Sequence, residues 1–235
     1  MRPVSRGEAP LNEDGRPIIF QKYKDALAPL RDRLGEYCSY CERRVTNQPA
    51  VEHIRPKALH PDLETNWENF LLSCANCNSV KRDKPVAPEK FLWPHRDNTF
   101  RAFDYTEGGV VGVAQRLRGP VRRQAKALLE LVGLDRHPGA GVHRGSSLGD
   151  QRWRERREIW DKAKLSLDRL RKKPGPLMRQ QILDTARGFG FWSVWMTIFE
   201  REPEMRQMFI EGFHGTCREC FGPRGAPLRR PGGRL

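Results

Sequence analysis

Acidic side chains are scarce in this chain of 235 residues: 29 Asp and Glu stand against 43 Lys and Arg, a formal net charge of +14. Arg outnumbers Lys by 32 to 11. This imbalance implies a polyanionic partner, most economically nucleic acid. The plainer alternative is an arginine-biased composition on solvated faces. Long apolar runs are missing too. The longest nearly apolar stretch, Phe189 to Phe199, is about half of what a helical membrane span requires. Residues 1–8 lack the apolar core of a signal peptide. Cysteine is confined to six residues in three Cys-x-x-Cys pairs, which fits metal use in a reducing cytoplasm and not the disulfide scaffold of a short secreted chain. A cytoplasmic location is therefore expected. No internal repeat is visible beyond the paired clamps.

Two of those pairs organise the chain. Cys38/Cys41 and Cys74/Cys77 are separated by 32 residues and bracket Glu52-His53. Two intervening residues let both sulfurs of a pair turn toward one ion, and two such clamps complete the tetrahedral site of structural zinc. Zinc with four sulfurs is coordinatively full, so reactive groups are expected between the clamps, not on the ion.

The residues between them resemble the HNH endonuclease family in its four-cysteine, zinc-stapled form. The family has a strand ending in an acid and a His, often with Pro close behind, matched by Glu52, His53 and Pro56. An Asn-hydrophobic step precedes the second Cys pair, matched by Asn69-Phe70. A His or Asn follows the last Cys; here it is Asn78, a weaker metal ligand than His, with Lys81 one turn on. The resemblance covers residues 34–84. More loosely, the length, the early module and the helical remainder look like the nuclease subunits of Septu-type and retron-associated anti-phage systems, which work beside an ATPase.

The resemblance implies metal-dependent hydrolysis of phosphodiester bonds in DNA. That chemistry requires a base for the water and a cation for the leaving oxygen. His53, with an ordinary pKa near 6.5, suits the base. Glu52 and Asn78 offer oxygen ligands for Mg²⁺ or Mn²⁺, and Asn69 suits a brace for the loop holding His53. Neighbours on a strand point to opposite faces, so Glu52 and His53 converge only if the strand ends or bends there; Pro56 favours an ending. The alternative is a zinc-containing module that binds nucleic acid or docks onto a partner without cutting. His53 with Asn78 separates the two readings, because zinc binding needs neither.

The expected fold is α+β: a small zinc-stapled ββα-metal module with an N-terminal helix over residues 1–95, then a hairpin and a mainly α-helical basic domain over 96–235. Residues 1–16 read as an extended arm. Phe20, Tyr23, Leu27, Leu30 and Leu34 predict a helix interrupted by Pro29 and stopped by Gly35. A helix from Cys77 to Asp83 places Asn78 near its start, where the partial positive charge favours an anion, with Lys81 within reach of a phosphate. Charge is unevenly distributed: residues 1–95 hold 15 basic and 13 acidic residues, whereas 115–173 hold 17 and 7. One helix follows Pro120. Another carries Trp153, Trp160, Leu167 and Leu170 on its core face, and presents Arg152, Arg156 and Arg157 as a backbone-gripping surface for DNA. The loop of residues 135–150 contains His137 and His143. Cys217/Cys220 has no further ligand nearby except His214, which leaves a half-site shared with another subunit as one option. The tail from Gly222 reads as mobile.

Overall fold

A computed structural model describes residues 1–138 and 149–235; the expectation for His143 lies outside the described residues. The fold is α+β. α1 (Leu27–Leu34) follows a turn of 3-10 helix over Tyr23–Ala26. Pro29 is tolerated because the N–H groups of a helix's first turn need no partner within it. Leu30 and Leu34 are buried, and Gly35, at φ +71°, ends the helix.

Two short antiparallel strands, β1 (Ala50–His53) and β2 (Phe70–Ser73), pair with Glu52 opposite Leu71 and His53 opposite Phe70. The Asn66 side chain accepts from Glu68 N at 2.8 Å and starts the turn that delivers Asn69 to β2. α2 (Ala75–Lys81) begins directly after, capped by Cys74, whose sulfur accepts from Cys77 N at 3.5 Å. It starts two residues earlier than expected, so Asn78 sits one turn inside it. The hairpin falls where expected, as β3 (Phe103–Tyr105) and β4 (Val111–Val113).

The remainder is helical: α3 (Gly119–Leu131), α4 (Arg152–Lys172), α5 (Pro176–Phe189), α6 (Trp192–Ile198) and α7 (Pro203–Gly212), with α4 against α6 and α5 against α7. The break between α5 and α6 is specific. Gly190 takes φ +80°, and a Cβ there would lie 2.4 Å from the Glu42 carbonyl oxygen. Phe191 N donates to that same carbonyl at 2.8 Å. The buried Glu42 carboxylate then accepts from Ser193 Oγ at 2.6 Å and Ser193 N at 3.0 Å, satisfying the first turn of α6.

Residues 1–16 form the expected arm without helix, but its start is anchored: Met1, Arg2 and Val4 are buried, and the Arg2 guanidinium donates to the carbonyls of Leu34 and His214 at 2.8 and 2.6 Å. The tail from Gly222, expected to be mobile, is held in place. Leu228 N donates to Cys220 O at 2.8 Å, Arg230 Nη1 to Val4 O at 3.0 Å, and Leu235 is buried. Both ends lie on one continuous apolar core that also holds Leu30, Phe70, Trp93 and Trp195, and these contacts cross the boundary expected near residue 95. Among the described residues no helix is long and apolar enough to cross a membrane.

Candidate functional site

The four cysteines of the two clamps converge. Their sulfurs all lie within 4.8 Å of one another and are buried; Cys41 and Cys74 Sγ are 3.6 Å apart. Tetrahedral zinc with bonds of ~2.3 Å sets sulfurs ~3.8 Å apart, so the donor set fits that ion. The surrounding charge fits as well. Four thiolates and one Zn²⁺ carry two net negative charges, which burial makes costly unless cations approach. Arg152 Nη1 lies 3.1 Å from Cys77 Sγ. Burial opposes the Arg152 charge, but Asp150 and the sulfurs of Cys77 and Cys41 outweigh it and hold its pKa above the ordinary value. Burial opposes the Arg43 charge too, and Cys41, Glu155, Cys74 and Cys77 likewise outweigh it.

This corrects the expected DNA-gripping row. Arg152 and Arg156 are 1% and 2% exposed. The five donors of Arg152 reach Asp150, Cys77 Sγ and the carbonyls of Val132 and Gly133. Arg156 donates to the carbonyls of Gly109 and Leu134 at 2.8 and 3.1 Å. Of the three, Arg157 alone is exposed. The buried seam of α4 runs through Arg152, Arg156, Ile159, Ala163, Ser166 and Leu170, leaving Trp153, Trp160 and Leu167 half-buried at its flank. The arginines face inward because the sulfurs and the carbonyls ending α3 lie there.

A second centre opens between β1 and α2 as a cleft of about 500 Å³, lined by Glu52, His53, Asn78 and Lys81. The strand ends at His53, which lets two sequence neighbours border one space. His53 packs edge-on against Phe70 and Tyr23, with ring centroids 5.2 and 5.1 Å away. Its Nε2 lies 2.9 Å from the Glu64 carbonyl oxygen. A carbonyl only accepts, so Nε2 carries the hydrogen and the Nδ1 lone pair is left over in the neutral ring. Burial lowers the His53 pKa below its ordinary value, which keeps the ring neutral at pH 7. Asn69 has the geometry of a brace: Oδ1 accepts from Arg55 N at 2.8 Å, and Nδ2 donates to Arg55 O and Leu63 O at 2.9 and 3.3 Å. It thus ties both ends of the loop behind His53.

Glu52 is 1% exposed, and burial raises its carboxyl to about 6 although Lys81 pulls the other way. Lys81 is neither a surface lysine nor free to meet a phosphate, which corrects its expected place in DNA binding. It is 2% exposed, with Nζ 2.6 Å from His53 O and 2.7 Å from Glu52 Oε1. The contact with Glu52 has ion-pair distance without hydrogen-bond geometry, so Oε1 remains a buried oxygen with no hydrogen bond. That acceptor, faced only by the Lys81 ammonium and in one cleft with the exposed Asn78 amide, keeps a lone pair that fits a hard divalent cation. The inward course of Lys81 had a signal in the sequence: it stands four residues after Cys77 and so shares the buried face of α2.

With both centres in place, comparison with known proteins is direct. The family model of the HNH endonucleases matches residues 38–84. Residues 38–84 are an HNH endonuclease domain. Both clamps, β1, β2 and α2 fall inside this HNH domain, as do Glu52, His53, Asn69 and Asn78. The chain is also similar to the Septu protein PtuB of Bacillus thuringiensis, 36% identical over 74 residues. That match covers 29% of this chain and 29% of the relative. Cys217 and Cys220 lie outside the HNH domain. Both are buried, and no third His, Cys, Asp or Glu joins them in a metal-holding group among the described residues.

Proposed function

We propose that this protein is a metal-dependent endonuclease that hydrolyses phosphodiester bonds in DNA, with structural zinc in the four-cysteine site. The observation that carries this reading is the shared cleft, where an imidazole with its hydrogen fixed on Nε2 borders a carboxylate oxygen without a hydrogen bond and an exposed amide. Zinc needs none of these three. His53 would accept a proton from water at Nδ1, and the Glu64 carbonyl would stabilise the resulting imidazolium through Nε2–H. Glu52 and Asn78 would hold Mg²⁺ or Mn²⁺, whose chemistry when bound is Lewis-acid stabilisation of charge on the phosphate and leaving oxygen. Asn69 would fix the loop so that the ring keeps its aim. The cations Lys57, Arg82 and the exposed Arg157 would attract the DNA backbone.

The likeness to a Septu PtuB supports a place in anti-phage defence, with cutting controlled by a partner ATPase. The test is nicking of supercoiled plasmid by the zinc-loaded protein with Mg²⁺ or Mn²⁺ and with chelator, alone and with a co-expressed partner. Metal-dependent nicking that His53→Ala abolishes is expected. Wild-type protein that binds DNA but never cuts it, with or without partner, would leave the non-catalytic binding module in its place.

A further inference from the structure

A single buried ammonium touches both parts of the candidate catalytic centre. Lys81 Nζ stands 2.7 Å from Glu52 Oε1 and 2.6 Å from the His53 carbonyl oxygen. Both Lys81 and Glu52 side chains are 2% exposed, so neither charge is strongly screened by water. The ionic side chains lining the cleft are Glu52, Lys57, Lys81, Arg82 and Asp83, and Lys57 is already ion-paired with Glu64 at 2.7 Å, as Glu52 is with Lys81. Mg²⁺-like ions are ordinarily held by one or two carboxylates together with substrate phosphates. Here the pair assigned to the ion supplies one carboxylate, already faced by Lys81, and one neutral amide. A cleft built this way offers a dication no carboxylate free of a cation at the assigned site.

We infer, resting on the nuclease reading above, that Lys81 is a positioning residue that keeps the DNA-free centre short of negative charge, so that a divalent ion is held firmly only after a substrate phosphate has entered. The ammonium pins the Glu52 carboxylate and the end of β1, while Oε1 keeps a lone pair to share. An arriving phosphate adds the charge that Lys81 removes, and ion and DNA then bind cooperatively. By linkage, the ion must strengthen DNA binding by the same factor as DNA strengthens ion binding. The free protein would hold no firmly bound dication with which to cut anything until DNA supplied the missing ligand.

The test measures Mn²⁺ binding by electron paramagnetic resonance at pH 8, using the zinc-loaded full chain carrying His53→Ala so that DNA stays intact. A short duplex oligonucleotide should tighten Mn²⁺ binding at least tenfold. Adding Lys81→Met should tighten binding to the DNA-free protein by tenfold or more and shrink the gain from DNA. Lys81→Gln, isosteric enough to spare the fold, should act in the same direction. Equal Mn²⁺ affinity with and without DNA overturns the inference while leaving the nuclease reading intact wherever the wild type nicks plasmid. Unchanged DNA-free affinity in Lys81 variants with full zinc content also overturns it. Should both variants fail to fold, the DNA comparison decides, since it leaves position 81 untouched. Absence of Mn²⁺ binding in every sample overturns the inference; metal-independent nicking by the wild-type protein would show that the assigned catalytic ion has failed as well.

Discussion

Removing the imidazole at position 53 separates chemistry from everything else the cleft does. His53→Ala should keep zinc, fold and DNA binding while nicking falls by about 10²-fold or more; zinc content and a gel-shift assay check the retained properties. Asn78→Ala should lose activity through weaker ion binding and recover part of it at raised Mn²⁺. Asn69→Ala should fall between the two and show no such rescue, because the displaced loop of Arg55 and Leu63 misplaces the base without touching the ion. That Glu52, His53 and Asn78 would meet at one cleft with Asn69 tying the loop behind it was legible in the sequence because their spacing belongs to a known pattern. Lys81 was not read correctly. A lysine is exposed by default; its spacing from Cys77 hinted at the buried face, and the position of Glu52 behind it, set by strand pairing, is what makes the inward direction favourable.

Helix α4 shows how a pattern can give the element and miss its phase. The helix itself follows from the periodicity, and Leu170 falls in its buried seam, yet Trp153, Trp160 and Leu167 sit at the flank of that seam and not at its centre. Charged side chains at Arg152 and Arg156 read as solvent-facing because nothing local in the sequence announces the sulfurs and bare carbonyls that await them. Arg152→Met should therefore destabilise the protein by about 3–5 kcal/mol, since it leaves Asp150 buried without its partner; thermal unfolding would drop by roughly 10 °C. Arg157→Gln on the exposed side should change stability by less than about 0.5 kcal/mol while weakening DNA binding and flattening its salt dependence. If Arg152→Met unfolds like the wild type, the guanidinium is not a structural partner of the thiolates.

Zinc is expected at one ion per chain, and elemental analysis of fresh protein measures it; two ions would bring Cys217 and Cys220 into play. Structural zinc supplies ~10 kcal/mol or more of folding free energy. Cys74→Ser or prolonged chelation should therefore melt the helical region as well as the clamps, visible as a joint loss of helical circular dichroism and tryptophan signal. The joint loss follows from the continuous core and from Glu42, which ties the first clamp to α6. Composition and spacing could not reveal that union. The basic remainder reads as a separate domain, and the tail as mobile, because contacts such as Arg2 with His214 or Arg230 with Val4 join residues that no local pattern relates.

The tie between Glu42 and Ser193 spans 151 positions, and this has a consequence for how the protein is made. A ribosome adding ~5–20 residues per second releases the clamps and the cleft first, then needs about 6–22 s more before Ser193 follows. During that interval the thiolates lack Arg152 until α4 emerges, and the loop after Cys41 lacks its anchor on α6. A nascent chain stalled at residue 150 should thus hold zinc poorly and cut nothing, as pulldown of arrested chains followed by metal analysis would show. If such a fragment binds zinc and nicks DNA like the full protein, the helices are dispensable to maturation. Otherwise translation itself serves as the safety catch, and the proposed cutting activity is armed only once α6 has emerged.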